Sequence, residues 1–267
     1  MLLVNEQPWP YRKGMRMEDL AAEVKPYADV FVLNGKPVGP ETLLQDGDRC
    51  TLIKKGEIPS ALDMDKVLRV RHSPEVQERL RKATVAVMGL GGLGSAVAVS
   101  LVKIGIGKLI ICDYDVVDLS NIHRQQYFID QIGQKKTRAL KKTLVRINPF
   151  VAVEPLDIQL TEQTITELAG QVDVLVECFD QVAMKSAALR VALKCMKDKG
   201  FVGASGLAGF GPGNTIRTRR IRNNIYLVGD NESDVATTGS LLAPRVGIAA
   251  HQQANQVVRI LLGENEV

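Results

Sequence analysis

Residues Ala86–Ser95 read AVMGLGGLGS, and Gly89, Gly91 and Gly94 stand in a G-x-G-x-x-G spacing directly after an apolar run. Glycine at these places lets the backbone turn tightly and approach a pyrophosphate at the N-terminus of the helix that follows. The loop recognises phosphates and not what hangs beyond them. On its own it therefore leaves open a nicotinamide or flavin cofactor or ATP, and side chains further along must decide.

Outward from the loop, strand and helix patterns alternate. TVAVM (84–88) reads as the strand before the loop and LGSAVAVSLVKIG (93–105) as the helix after it. Strands follow at KLIICD (108–113), VAVEPLD (151–157), VDVLVECFD (172–180) and GFVGAS (200–205). Helices lie between them at 133–148, 161–170 and 184–198. NTIRTRRI (214–221) and NIYLVGD (224–230) suggest a hairpin, and 242–263 a closing helix. Such alternation predicts a mainly parallel sheet with helices on both faces, with ligands at the carboxyl ends of the strands. Ser73–Pro74 opens a further helix, PEVQERLRK, ahead of the first strand.

Residues 1–57 have another rhythm. LLVNE and PWPYRK read as two strands and RMEDLAAEV as a helix; DVFVLNG is a strand running into an Asn34–Gly35 turn. LLQDGDRCTLIKK adds the Asp46–Gly47 turn and a last strand. This ββαββ order suits a small β-grasp domain. The predicted fold class is therefore α/β: a Rossmann-like, doubly wound, mainly parallel sheet in residues 71–267, a linker over 58–70, and an N-terminal β-grasp (α+β) domain over 1–57.

Bulk properties narrow the function. Of 267 residues, 45% are hydrophobic and only 4% aromatic, so the core is predicted to be Val, Leu, Ile and Ala. The net charge of +4 is mild, and the one dense basic run, Arg217–Arg222, lacks interleaved aromatics. It reads as a solvated strand face and not a nucleic-acid site. The uncharged run Ala83–Val102 holds the glycine loop, which argues against a membrane span. Cys50, Cys112, Cys178 and Cys195 form no C-x-x-C pair, which argues for reduced thiols in a cytoplasmic protein and against a thiolate zinc site. No signal peptide is expected from MLLVNEQPWP.

Asp113, at the end of the second strand, lies where an acid binds ribose hydroxyls, which by itself favours a nicotinamide enzyme. The following segment, DYDVVDLSNIHRQQYF, shifts the balance. Ser120, Asn121, Arg124 and Gln125 bring amides and a guanidinium beside the phosphates, an arrangement that suits a triphosphate under attack. Lys136 in GQKK can reach a phosphate, and Asp180 in ECFDQ can hold Mg²⁺.

The motifs GLGGLGS, DYDVVDLSNIHRQ, GQKK, RINP and ECFDQ, in that order, resemble the ThiF/MoeB/HesA family of ubiquitin-activating-type adenylyltransferases over about residues 71–263. The resemblance implies activation of the C-terminal carboxylate of a β-grasp sulfur carrier by ATP, giving an acyl-adenylate and pyrophosphate. It implies that Gly92 and its neighbours Gly89, Gly91 and Gly94 line the nucleotide, and that Asp113 binds ribose. Asn121, Arg124 and Gln125 would contact phosphates, with Asp115, Ser120, Ile122, His123 and Gln181 as further nucleotide neighbours. Lys136 would neutralise charge and Asp180 would hold Mg²⁺; Arg124, Lys136 and Asp180 are thus the expected catalytic set. A carboxylate nucleophile is already ionised, so the reaction needs stabilised charge and not a base. His123 is accordingly read as a neighbour and not a catalyst.

Departures from the family pattern are visible. The two C-x-x-C pairs of many members are absent, so no zinc is expected, and GDNESDVATTGSLLAPRV carries no cysteine for sulfur transfer. The family's R-Y-x-R becomes Arg71-His72-Ser73-Pro74; Arg69 or Arg71 is left to replace the arginine lost at Pro74. The family's Asp-Asn pair is Asp180-Gln181. A homodimer is expected from the resemblance and from the apolar closing helix. Residues 1–55, with VLNGKPV and LLQDGDRCTLI, resemble the carrier ThiS itself, although Gly56 stands alone and no Gly-Gly tail ends the domain. The leading function is adenylylation of a separate ThiS-like carrier in thiamine or related sulfur-transfer biosynthesis. Adenylylation of another peptide or small-molecule carboxylate, or a weakly catalytic carrier-binding scaffold, stay open as alternatives.

Overall fold

A computed structural model describes residues 1–57, 60–264 and 266–267, without the side chains of Lys66 and Val70. The chain divides into two compact units, Met1–Ser73 and Pro74–Val267.

In the first unit, β1 (Leu2–Val4), β2 (Gln7–Trp9), α1 (Met17–Val24), β3 (Val30–Leu33), β4 (Lys36–Val38) and β5 (Arg49–Ile53) form a sheet of order β2-β1-β5-β3-β4 with one helix. Leu2, Val4, Leu20, Cys50 and Leu52 fill the small core. The order is ββαβββ, one strand more than the sequence predicts. Asn34 and Gly35 both take positive φ (50° and 81°), the geometry of a two-residue hairpin turn that pairs β3 with β4. β4 escaped notice because its three residues, Lys-Pro-Val, carry no alternating apolar pattern.

The stretch 58–70 expected as linker is different. Residues 58 and 59 lie outside the described residues, and 61–70 belong to α2 (Ala61–His72). Ser60 starts it by a reciprocal cap: its Oγ accepts from the Asp63 N–H and the Asp63 carboxylate accepts from the Ser60 N–H, both at 3.2 Å. Gly56 and Pro59 read as linker residues, while the helix start is carried by the S-x-x-D pair Ser60 and Asp63.

The second unit opens with α3 (Pro74–Lys82), which begins at Pro74 as expected. Then come β6 (Thr84–Met88), α4 (Gly92–Lys103), β7 (Lys108–Cys112), α5 (Lys136–Ile147), β8 (Ala152–Leu156), α6 (Glu162–Gln171), β9 (Val174–Glu177), α7 (Val182–Cys195) and β10 (Gly200–Ala204). β11 (Arg217–Arg222), β12 (Ile225–Gly229), a single turn α8 (Val235–Thr238) and α9 (Ala243–Leu262) complete it. The sheet order is β11-β12-β10-β9-β6-β7-β8, with every pairing parallel except β11 with β12. One core packs α4, α5 and α9 on one face, built around Val85, Val97, Leu101 and Ala250. The other packs α6 and α7 around Ile110, Ile165 and Val191. The basic run Arg217–Arg222 is the edge strand, four of its six residues exposed. Among the described residues, no helix is long and apolar enough to cross a membrane.

Strand order reverses between β6 and β9: the chain moves from β6 to β7 and β8 on one side, then returns to β9 on the other. A crevice opens at the carboxyl ends of strands at such a point. The glycine loop leaves β6 there, and the Asp180 turn leaves β9.

Candidate active site

A cavity of about 710 Å³ occupies that switch point. Its floor is the glycine loop. Gly89, at φ 87°, turns the chain out of β6, and the N–H of Leu90 donates to Asp113 Oδ2 at 2.6 Å. A Cβ at Gly94 would overlap the Gly89 carbonyl oxygen, so glycine there lets α4 pack onto the loop. Gly89, Gly91 and Gly92 line the cavity; Gly94 does not, and serves the loop's packing instead.

Asp113 directly follows β7 with little exposure, its second oxygen accepting from the Asp115 N–H at 2.8 Å. Both carboxylate oxygens are thus oriented by backbone donors while the residue faces the cavity. Lys136, the first residue of α5, is buried, with Nζ 2.9 Å from Asp115 Oδ2. Its own N–H donates to the Asp115 carbonyl, so residue 115 holds the lysine at two points. Arg124 donates through Nη1 to the Ser120 carbonyl at 2.9 Å and lies 3.3 Å from His123 Nε2. Gln125 is buried with its Oε1 unpartnered among the described residues. Asp180 is exposed on the turn between β9 and α7, and among the described residues its carboxylate is unpaired; Gln181 stands beside it just before the first residue of α7.

The cavity therefore brings together Asp113, Asp115, Asn121, Arg124, Gln125, Lys136, Asp180 and Gln181 from the expected set. Ser120, Ile122 and His123 do not line it. The Ser120 hydroxyl donates to Asp118 at 2.6 Å, shaping the turn, Ile122 packs on the core, and His123 is exposed. The Ser120 bonds lower the Asp118 carboxyl.

Sequence reasoning missed the opposite wall. Ser205–Ala208, after β10, and Asn231–Val235, after β12, line the cavity, together with Ile158–Leu160 and Lys185. Nothing local in the sequence of either loop marks their convergence. Arg245, a buried residue of α9, ties them together. It donates to the carbonyls of Gly211 and Pro212 (2.7 and 2.9 Å), to Thr215 Oγ1 (3.2 Å) and to Asp230 Oδ2 (2.6 Å).

Burial pushes the Asp230 carboxyl up, but the N–H groups of Ser233 and Glu232, the Ser233 hydroxyl and Arg245 outweigh it, bringing it from 3.8 down to about 2. A carboxyl depressed on folding contributes stability above its unfolded value and loses it as pH falls through the folded one. Thermal melts should therefore show Asp230→Asn losing less stability than the wild type between about pH 4 and pH 2. Parallel losses in the two proteins would contradict this.

Neither cavity thiol is a nucleophile at neutral pH. Burial, then Asp113 and Glu154, push Cys112 up to about 12; burial, then Glu177, push Cys178 up as well. The cavity sets the glycine loop beside Arg124, Lys136 and the exposed carboxylate of Asp180.

Comparison with known proteins gives a match to the ThiF family over residues 66–267 and to the ThiS-like ubiquitin family over residues 1–56. The molybdopterin-synthase adenylyltransferase of Escherichia coli K12 is 31% identical over 194 residues, covering 70% of this chain and 76% of that protein. The sulfur carrier protein adenylyltransferase of Thermus thermophilus is 39% identical over 108 residues, 40% of each chain. Among solved structures, the E. coli tRNA N6-threonylcarbamoyladenosine dehydratase TcdA in complex with ATP superposes with a TM-score of 0.68 at 18% identity, covering 78% of this chain and 98% of that one. That last likeness speaks for the fold.

Proposed function

The chain belongs to the ThiF family, and from that membership we propose that it adenylylates the C-terminal carboxylate of a separate ThiS-type sulfur carrier, with ATP as donor and pyrophosphate as leaving group. The observation that carries this reading is the meeting of Arg124, Lys136 and the unpaired Asp180 around the glycine loop in one cavity. A hydride-transfer site has no need of that charge set.

In the proposed reaction a carboxylate oxygen of the carrier attacks the α-phosphorus, the bond to the bridging oxygen breaks, and pyrophosphate departs. No proton moves. What the protein must do is bring two anions together and stabilise the charge that builds on the phosphates. Backbone N–H groups at the start of α4 face the phosphates, where the helix dipole favours negative charge. Arg124 and Lys136 each retain donors beyond the bonds described, and Asp113 accepts ribose hydroxyls. Mg²⁺ is commonly held by one or two carboxylates plus substrate phosphates, and the exposed carboxylate of Asp180 fits that donor set. Bound there, the ion would neutralise charge on the departing pyrophosphate.

The thiamine or a related sulfur-transfer pathway is the setting this reading favours, supported by the ThiS-like segment at 1–56. That segment is not its own substrate in this reading. After β5 the chain runs through Lys54-Lys55-Gly56-Glu57 toward α2, so it offers no free glycine-ended carboxylate. Mass spectrometry finding AMP attached within residues 1–57 would overturn that statement. The working state in this reading is a homodimer, and sedimentation as a monomer at micromolar concentration would count against it.

Calorimetric titration tests the nucleotide assignment. ATP with Mg²⁺ should bind with a dissociation constant on the order of micromolar, and NAD should give no measurable heat. Tight NAD binding without ATP binding would reverse the assignment.

A further inference from the structure

One buried carboxylate beside the cavity has no part in the reaction described above. Glu177, the last residue of β9, is 2% exposed. Its Oε1 accepts from the Phe179 N–H at 2.7 Å and from Lys185 Nζ at 2.9 Å, and its Oε2 accepts from the Ala204 N–H at 3.2 Å. Lys185 Nζ makes a second bond, to the Ala204 carbonyl, at 2.8 Å. From the far side, Gln253 of α9 donates to the Glu177 carbonyl at 2.9 Å.

Three pieces of chain thus meet on one ion pair: the end of β9, the first turn of α7 and the end of β10. Between Glu177 and Lys185 lies the turn that carries Phe179, Asp180 and Gln181 into the cavity; beyond Ala204 runs the wall Ser205–Ala208. A buried pair of this kind is weak evidence for stability, because apolar side chains of similar volume often hold a fold as well. What apolar packing lacks is direction. The pair fixes where the turn leaves the sheet, and it does so from the ends of both β9 and β10.

We propose that Glu177 and Lys185 are positioning residues, whose ion pair closes the 178–184 turn at its base and holds the Asp180 carboxylate where phosphate-bound Mg²⁺ meets it. This rests on the adenylylation reading above.

The test uses the full chain, ATP and Mg²⁺, and calorimetry as the readout. In the wild type, saturating Mg²⁺ should strengthen ATP binding about tenfold, and Asp180→Asn should lose that gain. Lys185→Met should lose it too, read as the ratio of ATP affinities with and without Mg²⁺, so that any direct effect of a cavity lysine on ATP cancels. Lys185→Arg, which can serve both acceptors, should restore the gain. A purely structural role would leave the ratio of the two affinities as it is in the wild type.

Lys185→Met leaves a buried carboxylate uncompensated and can fail to fold. The double variant Glu177→Leu/Lys185→Met removes both charges together. It should fold and show no gain in ATP affinity with Mg²⁺. A full Mg²⁺ gain in the folded variants overturns the positioning role while leaving the functional reading standing. A wild type that binds no ATP overturns the functional reading and this inference with it.

Discussion

Arg124→Ala should lower carrier adenylylation about 100- to 1000-fold, the usual cost of deleting one group that stabilises transition-state charge. The fold should survive. Arg124 is only partly buried, and its removal frees the Ser120 carbonyl on a turn at the surface. Lys136→Met should produce a loss of the same order. Its partner Asp115 has a side chain 45% exposed, so water can solvate the carboxylate left behind. Initial rates of ATP–pyrophosphate exchange, read beside melting temperatures, check both variants. Rates within threefold of wild type with unchanged melting would remove these cations from the reaction.

Gly94→Val should act in the opposite way, on the fold first. A Cβ at position 94 overlaps the Gly89 carbonyl oxygen, and both atoms belong to backbone held by the sheet and by α4. Neither can yield without moving the helix away from the strand. The expected cost exceeds about 4 kcal/mol, the range reserved for severe core or backbone conflicts. For a unit of this size that lowers the melting temperature by roughly 10 °C or more. Thermal unfolding followed by circular dichroism measures it. A variant that melts like the wild type would mean that the loop and helix are packed more loosely than described here.

These two results probe what the sequence carried well. The glycine spacing, the strand–helix alternation and the charged residues at strand ends are local patterns, each tied to a backbone requirement, and they placed β6, α4, β7 and α5 without further information. The β-grasp unit was legible through its turns, Asn34–Gly35 and Asp46–Gly47, while β4 was hidden by its proline and its exposed, unpatterned residues. Helix α2 was masked by neighbouring Gly56 and Pro59, although Ser60 and Asp63 spelled its cap.

At the site, proximity in sequence misled in one place. Ser120, Ile122 and His123 sit among cavity residues along the chain, yet the short turn there directs Asp118, Asn121, Arg124 and Gln125 to the cavity and those three away from it. The remaining wall depends on long-range partners. Glu177 and Lys185 are eight positions apart, and Arg245 reaches Asp230 and Thr215 across two loops. No local pattern encodes such pairings, because they exist only once the sheet order is set.

Exchange of labelled pyrophosphate into ATP tests the central claim most directly, since it reports reversal of acyl-adenylate formation and nothing downstream. The purified chain, given Mg²⁺ and a ThiS-type carrier ending in Gly-Gly, should incorporate label into ATP. Incorporation should cease when the carrier's terminal carboxylate is amidated, and the chain without added carrier should show none. Label incorporated equally with the amidated carrier, or no incorporation with the free carboxylate, would contradict the account.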